Sequence, residues 1–136
     1  MGNHVIHVEV TGKDGDKLQS FYKDVFGWTF DTTNPNYGMA RWGDFSAGVG
    51  TAEDGGPGIV TFYVHSDDPN GILAKAEAAG GRVIMPLTEV APETNVALFA
   101  DPEGHIVGLM SAIDAARTPR ARSRAGASPR LLYRAM

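Results

Sequence analysis

The sequence predicts an α+β fold made of two copies of one unit, each a strand, a helix and three further strands. Three observations carry this. Val5-Ile6-His7-Val8-Glu9-Val10 and Ile59-Val60-Thr61-Phe62-Tyr63-Val64 share an apolar skeleton 54 positions apart. The same offset sets Asp14 on Asp68, Leu18 on Ile72, Val25 on Ala79 and Gly27 on Gly81. Each half also holds one stretch with helical apolar spacing, followed by short alternating stretches bounded by turn residues. A single half would bury its sheet poorly, so duplication supplies the missing cover.

Residues 4–11 alternate apolar and polar side chains, as a half-buried strand does. That alternation puts Val5, His7 and Glu9 on one face and Ile6, Val8 and Val10 on the other. Asp14-Gly15-Asp16 starts a helix, because a short acid satisfies free N–H groups and further acid suits the dipole. Leu18, Phe21, Tyr22, Val25 and Phe26 line its apolar face, and Gly27 ends it in a left-handed conformation. Trp28-Thr29-Phe30 opens a second strand. Asn34-Pro35-Asn36 is a turn. Residues 37–43 and 45–50 are strands joined at Gly43-Asp44. Glu53-Asp54-Gly55-Gly56-Pro57-Gly58 is a linker by composition.

The pattern then restarts. Residues 59–65 form a strand, and Asp68-Pro69 supplies a cap and a proline for the first helical position. Ile72, Leu73, Ala76 and Ala79 form the buried stripe of the second helix, which Gly80-Gly81 stops. Residues 82–85 form a strand. Residues 94–100 and 105–111 form a hairpin around Asp101-Pro102-Glu103-Gly104.

Composition narrows the chemistry. The chain has 136 residues, 43% of them hydrophobic and 21% charged, which is globular composition. The absence of cysteine excludes disulfides, thiolate nucleophiles and cysteine-ligated metals. No apolar run approaches the roughly 20 residues that span a bilayer. The start, Met-Gly-Asn-His, is unlike a secretory signal, so a cytoplasmic location is expected. Six of the 12 basic residues lie after Ala116, where there is no acid; residues 1–116 therefore carry six bases against all 16 acids, a balance of −10. An acidic body disfavours nucleic acid and attracts cations. No phosphate-binding glycine loop is present, because the glycines at 55–58 lead into a strand.

The runs His7-Val8-Glu9-Val10, Phe21-Tyr22-Lys23-Asp24-Val25-Phe26-Gly27-Trp28, Ala78-Ala79-Gly80-Gly81-Arg82-Val83 and Asp101-Pro102-Glu103-Gly104-His105 resemble the vicinal oxygen chelate superfamily. This is the glyoxalase/bleomycin-resistance/dioxygenase family. The resemblance covers about residues 4–112. It implies two βαβββ modules (4–52 and 58–112) forming a curved, incomplete eight-stranded barrel with the helices outside. They make one domain over residues 1–116, and residues 117–136 form a basic tail. In metal-dependent members, four side chains, from the first and last strand of each module, bind a divalent metal. Here the first position falls on His7, its repeat partner on Thr61, the third around Gly48-Val49 and the last on Gly108. One imidazole cannot hold a catalytic metal. No cofactor is therefore expected, with a divalent metal as the alternative.

The expected function is binding of a small organic molecule without a catalytic metal, in a chain that pairs as a homodimer through exposed sheet edges. Neither nucleic acid, through the body, nor a membrane is an expected partner. The alternative is a lyase, isomerase or dioxygenase with a non-standard metal site. His7 and Glu9 are the candidate acid–base groups. The candidate ligand contacts are His7, Glu9, Trp42, Thr61, Tyr63, Gly108 and Met110, with Gly108 leaving space for the ligand's bulk. The acidic balance favours a cationic ligand.

Overall fold

In a computed structural model of the chain, residues 3–112 are described; the basic tail, residues 117–136, lies outside them. Two compact units result. One is Val5–Phe62, and the other runs from Tyr63 and includes the N-terminal residues to His4.

The first unit contains β1 (Val5–Gly12), α1 (Gly15–Phe26), β2 (Tyr37–Trp42) and β3 (Phe45–Thr51), with the strands in the order β2-β3-β1. β1 runs parallel to β3, pairing His7 with Ser46 and Glu9 with Gly48. β2 runs antiparallel to β3, pairing Met39 with Gly48 and Trp42 with Phe45. α1 starts where the sequence places it. The Asp14 side chain accepts from the Lys17 N–H, and Gly27 closes the helix at φ 76°. The start of α1 lies against β3, where the Gly15 N–H donates to Thr51 Oγ1 at 2.8 Å and a β-carbon on Gly15 would strike the Thr51 backbone. One turn further, Gln19 Nε2 donates to the Val49 carbonyl at 2.8 Å.

The strand expected at Trp28-Thr29-Phe30 does not form. Only an isolated bridge, Asp31 to Met39, remains, so the described residues hold seven strands rather than the eight expected. The physical reason is aromatic packing. Trp28 stacks on Tyr22 at 5.3 Å and meets Trp42 edge-on at 5.2 Å, which holds this segment to side chains rather than to a ladder.

The second unit contains most of β4 (Val60–His65), α2 (Pro69–Ala78), β5 (Arg82–Ala91), β6 (Thr94–Ala100) and β7 (Ile106–Ala112), in the order β4-β7-β6-β5. β4 runs parallel to β7, and β6 is antiparallel to both β7 and β5. Each unit therefore sets its first strand parallel to its last with a helix between. α2 has Asp68 as its cap and Pro69 in its first turn. Leu73 packs with Ala97 and Leu109, flanked by Ile72, Val83 and Phe99. β5 extends to Ala91, six residues past the expected end, by accepting shifts of register after Val83, Met85 and Glu89. A strand can run through Pro86 where the ladder is already interrupted. Phe62 of β4 is exposed.

Candidate functional site

The site grows from the alternation of β1. His7, Glu9 and Thr11 share its buried face, and Glu9 is fully inaccessible. A buried carboxyl needs partners or a proton. The partner comes from two strands away. Tyr37 at the start of β2 reaches across β3 and donates its phenol proton to Glu9 Oε1 at 2.9 Å. It can cross because β3 carries Gly48 at that point. A β-carbon there would overlap the Tyr37 phenol.

The row continues through the imidazole. Tyr37 Oη lies 3.1 Å from His7 Nε2, and His7 Nδ1 lies 2.6 Å from Ser46 Oγ. Since Tyr37 donates to Glu9, its oxygen accepts from His7, which places the imidazole proton on Nε2 and leaves Nδ1 to accept from Ser46. The donors thus all point one way, from Ser46 through His7 and Tyr37 to Glu9. At its end, Glu9 Oε2 is buried with no hydrogen-bond partner among the described residues.

Electrostatics follow from burial. Desolvation lifts the Glu9 carboxyl from its ordinary range to about 8, against the smaller opposing effect of the Tyr37 hydrogen bond. Desolvation, helped by the positive charge of Arg41, lowers the His7 imidazole to about 4. At neutral pH both groups are uncharged. The proton on Glu9 then belongs on Oε2, because Oε1 is already an acceptor.

His7 and Glu9 are brought together as the sequence implies, but Tyr37 bridges them. Neither Tyr37 nor Ser46 is among the candidate contacts read from the sequence. The signal for Tyr37 was the pair of glycines in β3, Gly48 and Gly50, since glycine inside a strand marks close approach by another group; no such signal marks Ser46. Both glycines meet Tyr37. Trp42 sits elsewhere. Its parity on β2 is opposite to that of Tyr37, and it packs against Trp28 and Phe45.

Thr61 is buried, with its hydroxyl 3.5 Å from the Phe62 carbonyl. In the second unit, Tyr63 is fully buried and pairs in register with Gly108. The space expected at Gly108 is taken, because a β-carbon there would overlap the Tyr63 ring. Met110 is half-buried on β7 beside His65. His65 lies 3.9 Å from Asp67, and His105 is held by Asp101 at 3.1 Å on the exposed hairpin turn.

With fold and site in place, comparison with known proteins identifies the class. Residues 4–109 match the Glyoxalase/Bleomycin resistance protein/Dioxygenase superfamily, and the chain belongs to that family. It is 30% identical to CFP32 of Mycobacterium tuberculosis, a glyoxylase by name, over 77% of this chain and 44% of that protein. It is 31% identical to the anthracycline biosynthesis protein DnrV of Streptomyces peucetius, over 62% of this chain and 38% of that one. The chain thus spans less than half the length of these relatives. Among solved structures, methylmalonyl-CoA epimerase from Mycobacterium tuberculosis superposes with a TM-score of 0.64 at 13% identity, covering 84% of this chain and 91% of that one. That likeness concerns the fold.

The family's metal was tested against the residues present, and they do not fit it. Both nitrogens of His7 are engaged by Ser46 and Tyr37. Gly48 and Gly108 offer no donor atom, and a tyrosine ring fills the place of any side chain at each. Among the described residues no three His, Asp or Glu side chains cluster as a metal site would require. No helix among them is long and apolar enough to cross a membrane.

Proposed function

We propose that the first unit holds a metal-free binding site for a small organic molecule, with the neutral carboxyl of Glu9 as its principal polar contact. One observation carries this: Glu9 is fully buried, one oxygen accepts from Tyr37, and the other has no hydrogen-bond partner among the described residues. An unpaired buried polar atom costs about 1–3 kcal/mol, a cost that a ligand with a carbonyl, hydroxyl or amide oxygen removes by accepting the Oε2 proton. Tyr37, His7 and Ser46 fix the direction of that proton. A neutral ligand suits the site at neutral pH; a cation gains only as Glu9 ionises, near pH 8. Thr61 remains a secondary candidate contact in the same unit. The cysteine-free sequence supports a cytoplasmic setting.

Ligand-observed NMR with a mixture of neutral carbonyl compounds, carboxylates and amines tests this. Neutral oxygen acceptors should bind the wild type, bind Glu9→Ala at least tenfold more weakly, and bind Trp42→Ala as well as the wild type. Binding indifferent to Glu9 overturns the reading. So does stoichiometric Mn²⁺, Ni²⁺ or Zn²⁺ in the purified protein, accompanied by a rise in Tm on adding that ion.

A second reading uses the same residue. A carboxyl that titrates near 8 can take a proton as well as give one at neutral pH. Glu9 would then exchange a carbon-bound proton next to a ligand's carbonyl group. Deuterium appearing in a bound ligand in D₂O, and failing to appear with Glu9→Gln, supports it.

A further inference from the structure

Glu9 is sealed from water, yet the hydrogen bonds that reach it lead outward. Ser46 Oγ lies 2.6 Å from His7 Nδ1, His7 Nε2 lies 3.1 Å from Tyr37 Oη, and Tyr37 Oη lies 2.9 Å from Glu9 Oε1. Exposure falls along this row. Ser46 is half-buried, His7 and Tyr37 are each 3% exposed, and Glu9 is fully inaccessible. A hydroxyl, an imidazole and a phenol can each accept one proton while giving up another. Every member between solvent and Glu9 is therefore able to pass a proton on. A row that only tied the strands together would serve as well with both ends sealed. The outer end is built by register: His7 pairs with Ser46, and Ser46 with the exposed Arg41. Burial, and then the charge of Arg41, disfavour an imidazolium at His7. A proton arriving there passes through as a change of tautomer and does not stay.

We propose that Ser46, His7 and Tyr37 form a proton relay between solvent and the buried Glu9 carboxyl. The inference rests on the reading in which Glu9 exchanges a proton with a bound ligand, because a group that has given its proton away must regain one where water does not reach. Four transfers balance. A dissolved acid gives a proton to Ser46 Oγ as Ser46 gives its own to His7 Nδ1. His7 gives its Nε2 proton to Tyr37 Oη, and Tyr37 gives its phenol proton to the Glu9 carboxylate at Oε1. One bond to hydrogen breaks for each that forms. The net result is one proton lost outside and one gained by Glu9, with His7 neutral throughout and left as its Nδ1–H tautomer. The same path run outward returns His7 to the Nε2–H form and releases a proton to solvent. Ser46, His7 and Tyr37 act through Glu9 and are positioning residues in this scheme; Glu9 alone meets the ligand.

The test is a rate, measured on the full chain without ligand. Relaxation dispersion of the Glu9 side-chain ¹³C carbonyl, at the midpoint of its titration, gives the rate at which the carboxyl gains and loses its proton. In the wild type that rate should rise with the concentration of Tris, a proton donor and acceptor that meets Ser46 from solvent. Tyr37→Phe keeps the ring beside Gly48 but removes the hydroxyl, and Ser46→Ala removes the outer one. Each, at its own midpoint, should slow exchange by at least about tenfold and abolish the Tris dependence. What remains is exchange through local opening, which backbone amide exchange should show to be unchanged. Ser46→Thr, which keeps a hydroxyl, should restore the rate. A wild-type rate indifferent to Tris overturns the relay, as does a Tyr37→Phe or Ser46→Ala variant as fast as the wild type, or a Ser46→Thr variant as slow as Ser46→Ala. Failure of the relay leaves the Glu9-dependent entry of deuterium into a bound ligand to be read separately, and failure of that reading leaves these rates unaltered.

Discussion

At the scale of single residues, the site depends on what is missing from β3. Glycine costs backbone entropy in a strand, and Gly48 is retained where the Tyr37 phenol must pass. Gly48→Ala should therefore destabilise the protein by about 3 kcal/mol, the upper part of the range for forced overpacking. Combining it with Tyr37→Ala should cost less than the sum, with a coupling of at least about 1 kcal/mol in urea denaturation. Additive costs would mean that the ring does not occupy that space. Gly108→Ala should show the same coupling with Tyr63→Ala, because the second unit repeats the device. The sequence made His7 and Glu9 legible, since strand parity alone puts them on one buried face. It could not reveal that they meet through Tyr37. That contact joins residues 28 and 30 positions apart and depends on the pairing of β2 with β3 and of β3 with β1.

At the scale of elements, local signals were sufficient where the physics is local. Both helix starts and the glycine end of α1 follow from capping chemistry that involves neighbouring residues only. Asp14→Ala and Asp68→Ala should each cost about 1 kcal/mol, with an unchanged m-value in urea. Gly27→Ala should cost about as much, since φ 76° is strained for any side chain. Where tertiary packing overrides propensity, the sequence misleads. Trp28-Thr29-Phe30 has strand composition, yet its rings are committed to Tyr22 and Trp42. β5 outruns its expected end because its register shifts absorb Pro86.

At the scale of the whole molecule, the two buried groups set how stability responds to pH. Glu9 titrates at about 8 when folded and near 4.5 when unfolded, so the stability it contributes is full below pH 4.5 and is lost as pH rises to about 8. His7 titrates at about 4 when folded and near 6.5 when unfolded, so its contribution is full above pH 6.5 and is lost as pH falls to about 4. Between pH 4.5 and 6.5 the two slopes cancel. From pH 6.5 to 8 only the Glu9 slope remains, near 1.4 kcal/mol per pH unit, for a loss on the order of 2 kcal/mol. Tm should be level between pH 4.5 and 6.5 and fall from there towards pH 8, and Glu9→Gln should remove the fall above pH 6.5. The proposed reading, a polar site that works through a held proton rather than a bound ion, rests on the tyrosine-filled glycine positions, the engaged imidazole and the neutral acid. The measurement that bears on it most directly is the titration of the Glu9 side-chain carbonyl by ¹³C NMR, assigned by comparison with Glu9→Gln and repeated with Mn²⁺ or Zn²⁺ present. The account predicts a midpoint near pH 8 that neither ion moves; a midpoint near 4.5, or one displaced by a stoichiometric metal, would contradict it.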